Sequence, residues 1–150
     1  MRVWELIESQ QLFYHGSIRK LPVGTILTPS KDYHEYWSDM TFYRFLEQYR
    51  PKNMLAHREA VFMVDNKNDI DVAGGGTDWI FTVKPLGRVE RHDINWGSEV
   101  SMLADDYEGP DKEEKIQQAA LNYWNGVPHP NESVWEYLTP KAEVVAVEKF

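Results

Sequence analysis

The spacing of apolar positions changes several times along the chain, and each change predicts an element. "DWIFTVKP" (78–85) alternates, with Trp79, Phe81 and Val83 to one side and Ile80, Thr82 and Lys84 to the other. A period of two predicts a half-buried strand, closed by Pro85. "EAVFMVD" is a compact apolar strand, and "AEVVAVEKF" a final one. "VWELIESQQLFYHGS" reads as two short extended pieces. "LPVGTILTP" reads as a turn, a short strand and a stop, because Pro22 and Gly24 precede the β-prone "TIL" and Pro29 follows it. Elsewhere the period lengthens. "DMTFYRFLEQYRP" sets Met40, Tyr43 and Leu46 at helical spacing, with Ser38 or Asp39 as a cap and Pro51 as a limit. "PDKEEKIQQAALNYWNG" is the clearest helix. Asp111 is placed to cap it, Ile116, Ala119, Ala120, Tyr123 and Trp124 form its stripe, and Gly126 ends it. Strands dominate and do not alternate regularly with helices, so an α+β domain is expected rather than a doubly wound sheet.

Composition narrows the classes. The 150 residues suit one domain, 1–150, large enough for a real core. An apolar share of 42% argues against disorder. The net charge of −8 argues against a protein that lives on nucleic-acid phosphates. Cysteine is absent, which excludes disulfides, thiolate zinc sites and cysteine nucleophiles. No apolar stretch is long enough to span a membrane, and "MRVWELIESQ" lacks the apolar block of a signal peptide, so a cytoplasmic protein is expected.

Most candidate chemistry gives way to plainer readings. "DNKNDIDVAGGG" (65–76) misses calcium-loop spacing at Lys67 and Ile70 and reads as a solvated loop. Gly74, Gly75 and Gly76 lack both the Walker lysine and the dinucleotide spacing. The five histidines show no metal-ligand spacing, so no metal site is expected. In "RVERHDINW", His92 and Asp93 are neighbours in an extended segment and read as surface. Two stretches remain. "LFYHGS" ends a strand on an imidazole followed by glycine. "SVWEYLTP" holds Glu136 in a β-prone run stopped by Pro140. Burial preferences alone put a lone strand carboxylate on the solvent face and make a lone histidine structural.

Together these stretches resemble the ADP-ribosyltransferase superfamily of the His-Tyr-Glu type. "LFYHGS" is similar to the superfamily's first motif, a strand ending in His-Gly-Ser or His-Gly-Thr. "AVFMVD" lies where the second motif's strand belongs, and "EYLTP" followed by "AEVVAVE" is similar to the third. The order "LPVGTILTP", "AVFMVD", "DWIFTVKPLGRVE" also resembles the small rifamycin ADP-ribosyltransferases. The resemblance covers most of the chain from about residue 12 onward.

It implies an ADP-ribosyltransferase-like fold, two small packed β-sheets with short helices around an NAD cleft. It implies a glycosyltransferase that moves ADP-ribose from NAD to an acceptor, a protein or small molecule more readily than a nucleic acid. Transfer to water, or a binding module that kept the fold without activity, are the alternatives. By the same resemblance Glu136 stabilises the oxocarbenium-like ribose, where a carboxylate meets developing positive charge. His15 fixes a ribose hydroxyl, Gly16 and Ser17 complete the NAD-binding motif, and the Gly16 backbone pairs with the nicotinamide carboxamide. Phe62 stands where the family has tyrosine and keeps a ring for stacking. Val134 stands two positions before Glu136, where arginine-modifying relatives carry a carboxylate or amide. The rifamycin enzymes take their acid from an earlier loop, so Glu90 and Asp93 remain rivals of Glu136.

Overall fold

In the computed structural model, residues 11–30, 40–73 and 76–150 are described. The alternating run 78–85 forms β4 (Trp79–Pro85), with Phe81 and Val83 buried on one face. It pairs antiparallel with β1 (Phe13–Ser17) on one side and β7 (Ala142–Lys149) on the other. The short β2 (Ile26–Leu27) completes a four-stranded sheet in the order β1-β4-β7-β2. A second sheet has the order β3-β6-β5, from β3 (Val61–Met63), β6 (Trp135–Thr139) and β5 (Glu90–Asp93), again antiparallel. Two antiparallel sheets with a few helices make this an α+β protein, as the mixed pattern predicts. No helix among the described residues is long and apolar enough to cross a membrane.

Three helices follow: α1 (Thr41–Gln48), α2 (Ile94–Asp106) and α3 (Lys112–Trp124). The α1 cap candidates Ser38 and Asp39 lie outside the described residues; the capping position is Met40, which makes no side-chain cap bond. Asp111 holds the capping position of α3, yet its carboxylate accepts from the Tyr107 hydroxyl rather than from a helix amide. Gly126 ends that helix with φ 69°, a left-handed conformation that glycine adopts without strain.

β3 and β6 have two buried faces because two cores sandwich them, whereas β5 leaves Arg91 exposed. Val61, Met63 and Tyr137 face the four-stranded sheet and pack with Phe13, Phe81 and Val144. The helices form their own cluster around Leu46, Val100, Ile116 and Trp124. Phe62 and Leu138 lie on the opposite face from Val61, Met63 and Tyr137, within a third cluster that includes Ile70 and Ile80. Residues 67–73 form a 3-10 helix that buries Ile70, so the solvated-loop expectation is corrected there. Buried apolar area at Ile70 holds that segment against β1.

The sheets meet at one backbone bridge among the described residues. Tyr14 and Val64 exchange N–H···O bonds of 2.8 and 2.9 Å. β1 therefore belongs to one sheet and touches the other.

Candidate active site

His15 follows that bridge. Its Nδ1–H donates to the Phe62 carbonyl at 2.7 Å, and its ring stacks over Phe81 with centroids 6.3 Å apart. The imidazole thus takes up a carbonyl of β3 just where β1 and β3 separate. Burial holds the His15 pKa below its ordinary value, with the Phe62 hydrogen bond pulling the other way. Since Tyr14 turns its N–H and C=O to Val64, strand alternation turns those of Gly16 to the same side, away from β4. A Cβ on Gly16 would collide with the Gly76 carbonyl oxygen, so glycine is required by a close backbone approach. Ser17 is engaged locally: its hydroxyl donates to the Arg19 carbonyl and accepts from the Arg19 N–H.

Glu136 lies on the helix side of β6, with 7% of its surface exposed, so the solvent-face expectation for a lone strand carboxylate does not hold. It pairs across the sheet with His92, and its neighbour Leu138 pairs with both Phe62 and Glu90. Residues opposite one another in antiparallel strands share a face, so Glu136, His92, Glu90 and Phe62 all project from the same surface. Glu136 Oε1 accepts from the Tyr123 hydroxyl of α3 at 2.5 Å. Burial raises its pKa from 4.5 to about 7, against the opposing pull of the Tyr123 hydrogen bond and of His92. A small cavity of about 90 Å³ lies beside it, lined by Phe62, Tyr43, His57, Val72 and Tyr123 among others.

His92 and Asp93 are 1% and 0% exposed, and the surface reading of "RVERHDINW" is corrected. The run is strand β5 followed directly by α2. Asp93 caps that helix by accepting from the Asn95 N–H at 3.1 Å, and it also accepts from the N–H groups of Val134 and His129. Three backbone donors pin two oxygens, which makes Asp93 an organising carboxylate. Glu90 is similarly engaged: both its oxygens lie 3.0 Å from the Leu55 N–H, with Arg88 and His92 also against it. Of the three acids considered from sequence, Asp93 is held by backbone amides, Glu136 borders this small cavity with its hydrogen bond to Tyr123, and Glu90 borders a larger one at β5.

The chain matches no protein-family model and no curated protein.

The predicted residues divide between the two sides of the second sheet. Phe62 and Glu136 share a cavity. His15 lies on the inter-sheet side, against Phe81, and reaches that cavity only through the backbone of Phe62. Sequence reasoning missed Tyr123, His57 and His92, which complete the polar cluster. The Tyr123 hydroxyl sits 2.8 Å from His57 Nε2, and His92 Nδ1 donates to the Tyr123 carbonyl at 2.8 Å. Tyr123 carried a signal only as part of an apolar helical stripe, and nothing local marked either histidine. A second cavity, about 330 Å³, opens at β5 beside Arg88, Arg91, Asn125 and Trp124, and His92 also lines it.

Proposed function

We propose that this chain cleaves NAD at the nicotinamide–ribose bond and transfers ADP-ribose to an acceptor, with Glu136 as the charge-stabilising carboxylate. One observation carries the reading. Phe62 and Glu136, chosen from separate motifs, line one cavity, and His15, from a third, bonds the Phe62 carbonyl from the other side of the sheet. A ring for stacking beside a carboxylate of limited solvation is what stabilisation of a cationic ribose requires. Gly16 is compatible with the same reading, since its backbone N–H and C=O turn away from β4 and are not used by that strand. Incubation with NAD should release nicotinamide. Glu136→Gln should lower kcat by roughly 10²–10³, with a much smaller change in KM, if the charge acts in the transition state. The same exchange at Glu90 is the control, and greater loss there would move the acid to β5.

A specific observation favours the alternative of a binding module. The cavity at Glu136 is about 90 Å³, below the roughly 300–1,000 Å³ of ordinary small-molecule sites. It admits a ring but not a dinucleotide, so catalysis requires Tyr123 or Phe62 to yield space. NAD binding by calorimetry without any nicotinamide release would establish the binding module. Release without acceptor would establish hydrolysis.

A further inference from the structure

Glu136 does not end its polar contacts at Tyr123. The Tyr123 hydroxyl also meets His57 Nε2 at 2.8 Å, and His57 Nδ1 lies 3.7 Å from Glu47 Oε1. That oxygen is already oriented, because it accepts from the His57 N–H at 2.9 Å. The Glu47 side chain on α1 is 23% exposed and pairs with Arg50 at 3.0 Å, so the line runs from a buried carboxyl to solvent. We propose that Glu47, His57, Tyr123 and Glu136 form a proton wire, the route by which the buried Glu136 carboxyl exchanges its proton with water.

The chemistry balances without a further reagent. The Glu136 O–H bond breaks as a new O–H forms on Tyr123. The original Tyr123 hydrogen passes to His57 Nε2. The imidazolium so formed releases its Nδ1 hydrogen to Glu47, which gives it to water. One proton leaves, Glu136 becomes a carboxylate, Tyr123 stays neutral, and His57 changes tautomer. A tyrosine hydroxyl both donates and accepts, and imidazole carries separate nitrogens for entry and exit, so each link is chemically suited to relay. The final 3.7 Å step exceeds a hydrogen bond and is the length a bridging water or a small carboxylate rotation closes.

The surroundings favour this direction. His92 faces Glu136 from β5, but its Nδ1 is held by the Tyr123 carbonyl and its Nε2 lies 3.3 Å from Glu90. Phe62 from β3 offers no proton, and Tyr43 from α1 meets the His57 ring rather than the carboxyl. Among the described residues, Tyr123 is thus the one group hydrogen-bonded to Glu136. The proposal stands apart from ADP-ribosyl transfer, since any role for Glu136 that changes its proton needs a path.

Time-resolved infrared spectroscopy after a pH jump tests it on the full chain without NAD. The protonated carboxyl band of Glu136, assigned by its loss in Glu136→Gln, should respond quickly in the wild type. Tyr123→Phe removes the central hydroxyl and should slow the response by about tenfold or more, the scale of a small added barrier. His57→Gln should slow it similarly and serves if Tyr123→Phe misfolds. His92→Gln should leave the rate within about twofold while altering the titration midpoint. An unchanged rate in both Tyr123→Phe and His57→Gln would overturn the wire, as would slowing by His92→Gln alone or the lack of any titrating Glu136 band. Nicotinamide release, measured separately, reports the transfer reading and leaves this result untouched.

Discussion

The two faces of the three-stranded sheet are built on opposite principles. Toward the other sheet, Val61, Met63 and Tyr137 meet Phe13, Phe81 and Val144 in a largely hydrocarbon interior. Toward the helices, the same three strands present Glu90, His92 and Glu136 beside Phe62 and Leu138. Burial is as complete on the second face as on the first, so exposure does not separate them. Partnering does. The apolar face is held by area and close packing, which are non-directional. The charged face is held by directional hydrogen bonds, from the Leu55 N–H to Glu90 and from the Tyr123 hydroxyl to Glu136, with His57 in turn against that hydroxyl. A fold needs only the first kind of face; the second is where chemistry is expected.

The difference predicts opposite responses to substitution. The largest effect belongs to the apolar face. Phe81 is fully buried, and Phe81→Ala should cost about 3–5 kcal/mol through lost transfer energy and the cavity left behind. Denaturant melts should show a marked fall in midpoint at every pH.

Removing charge from the other face should do the reverse. Glu136 has a folded pKa of about 7, raised from 4.5. Between these values the folded state binds more protons than the unfolded chain, so stability falls as pH rises through that window and levels off above it. Glu136→Gln removes this dependence and should raise stability by roughly 2–3 kcal/mol at about pH 8, with little change at about pH 4. Melts at the two pH values check the sign; a loss at about pH 8 would mean that the carboxylate is better paired than its geometry indicates.

The smallest effect is at His15, between the faces. His15→Ala frees one Phe62 carbonyl and should cost about 1 kcal/mol. Its lowered pKa has the opposite sign to that of Glu136: it favours the fold above the ordinary histidine value and is lost as pH falls through the depressed one. The acid limb of the wild-type stability curve should therefore become shallower in the variant.

What the sequence revealed follows the same division. The alternating run 78–85 corresponds to β4, and the stripe at 116–124 lies within α3, because apolar periodicity is local and records which side of an element is buried. The charged face could not be read that way. Glu90 and His92, and Asp93 on the other face of β5, are inside because their partners come from Leu55, Tyr123, His129 and Val134, all distant in sequence. Helix α2 was hidden for a related reason. Asp93, Trp96, Val100 and Leu103 carry a cap and a helical spacing, but Gly97 weakens the pattern and the preceding strand leaves no turn before it. His15 and Glu136 were legible as candidates; their placement on opposite sides of one sheet was not.

The Tyr14–Val64 bridge has a mechanical consequence. Apolar leaves pressed together are held by area and close packing, neither of which ties one backbone to a named partner on the other. Two backbone hydrogen bonds, backed by one imidazole, act as the dowel that supplies such a tie. Among the described residues the two leaves are tied backbone to backbone at this one place, residues 14–15 and 62–64, and an inserted residue on either strand there would move the tie by a step relative to the packing around it.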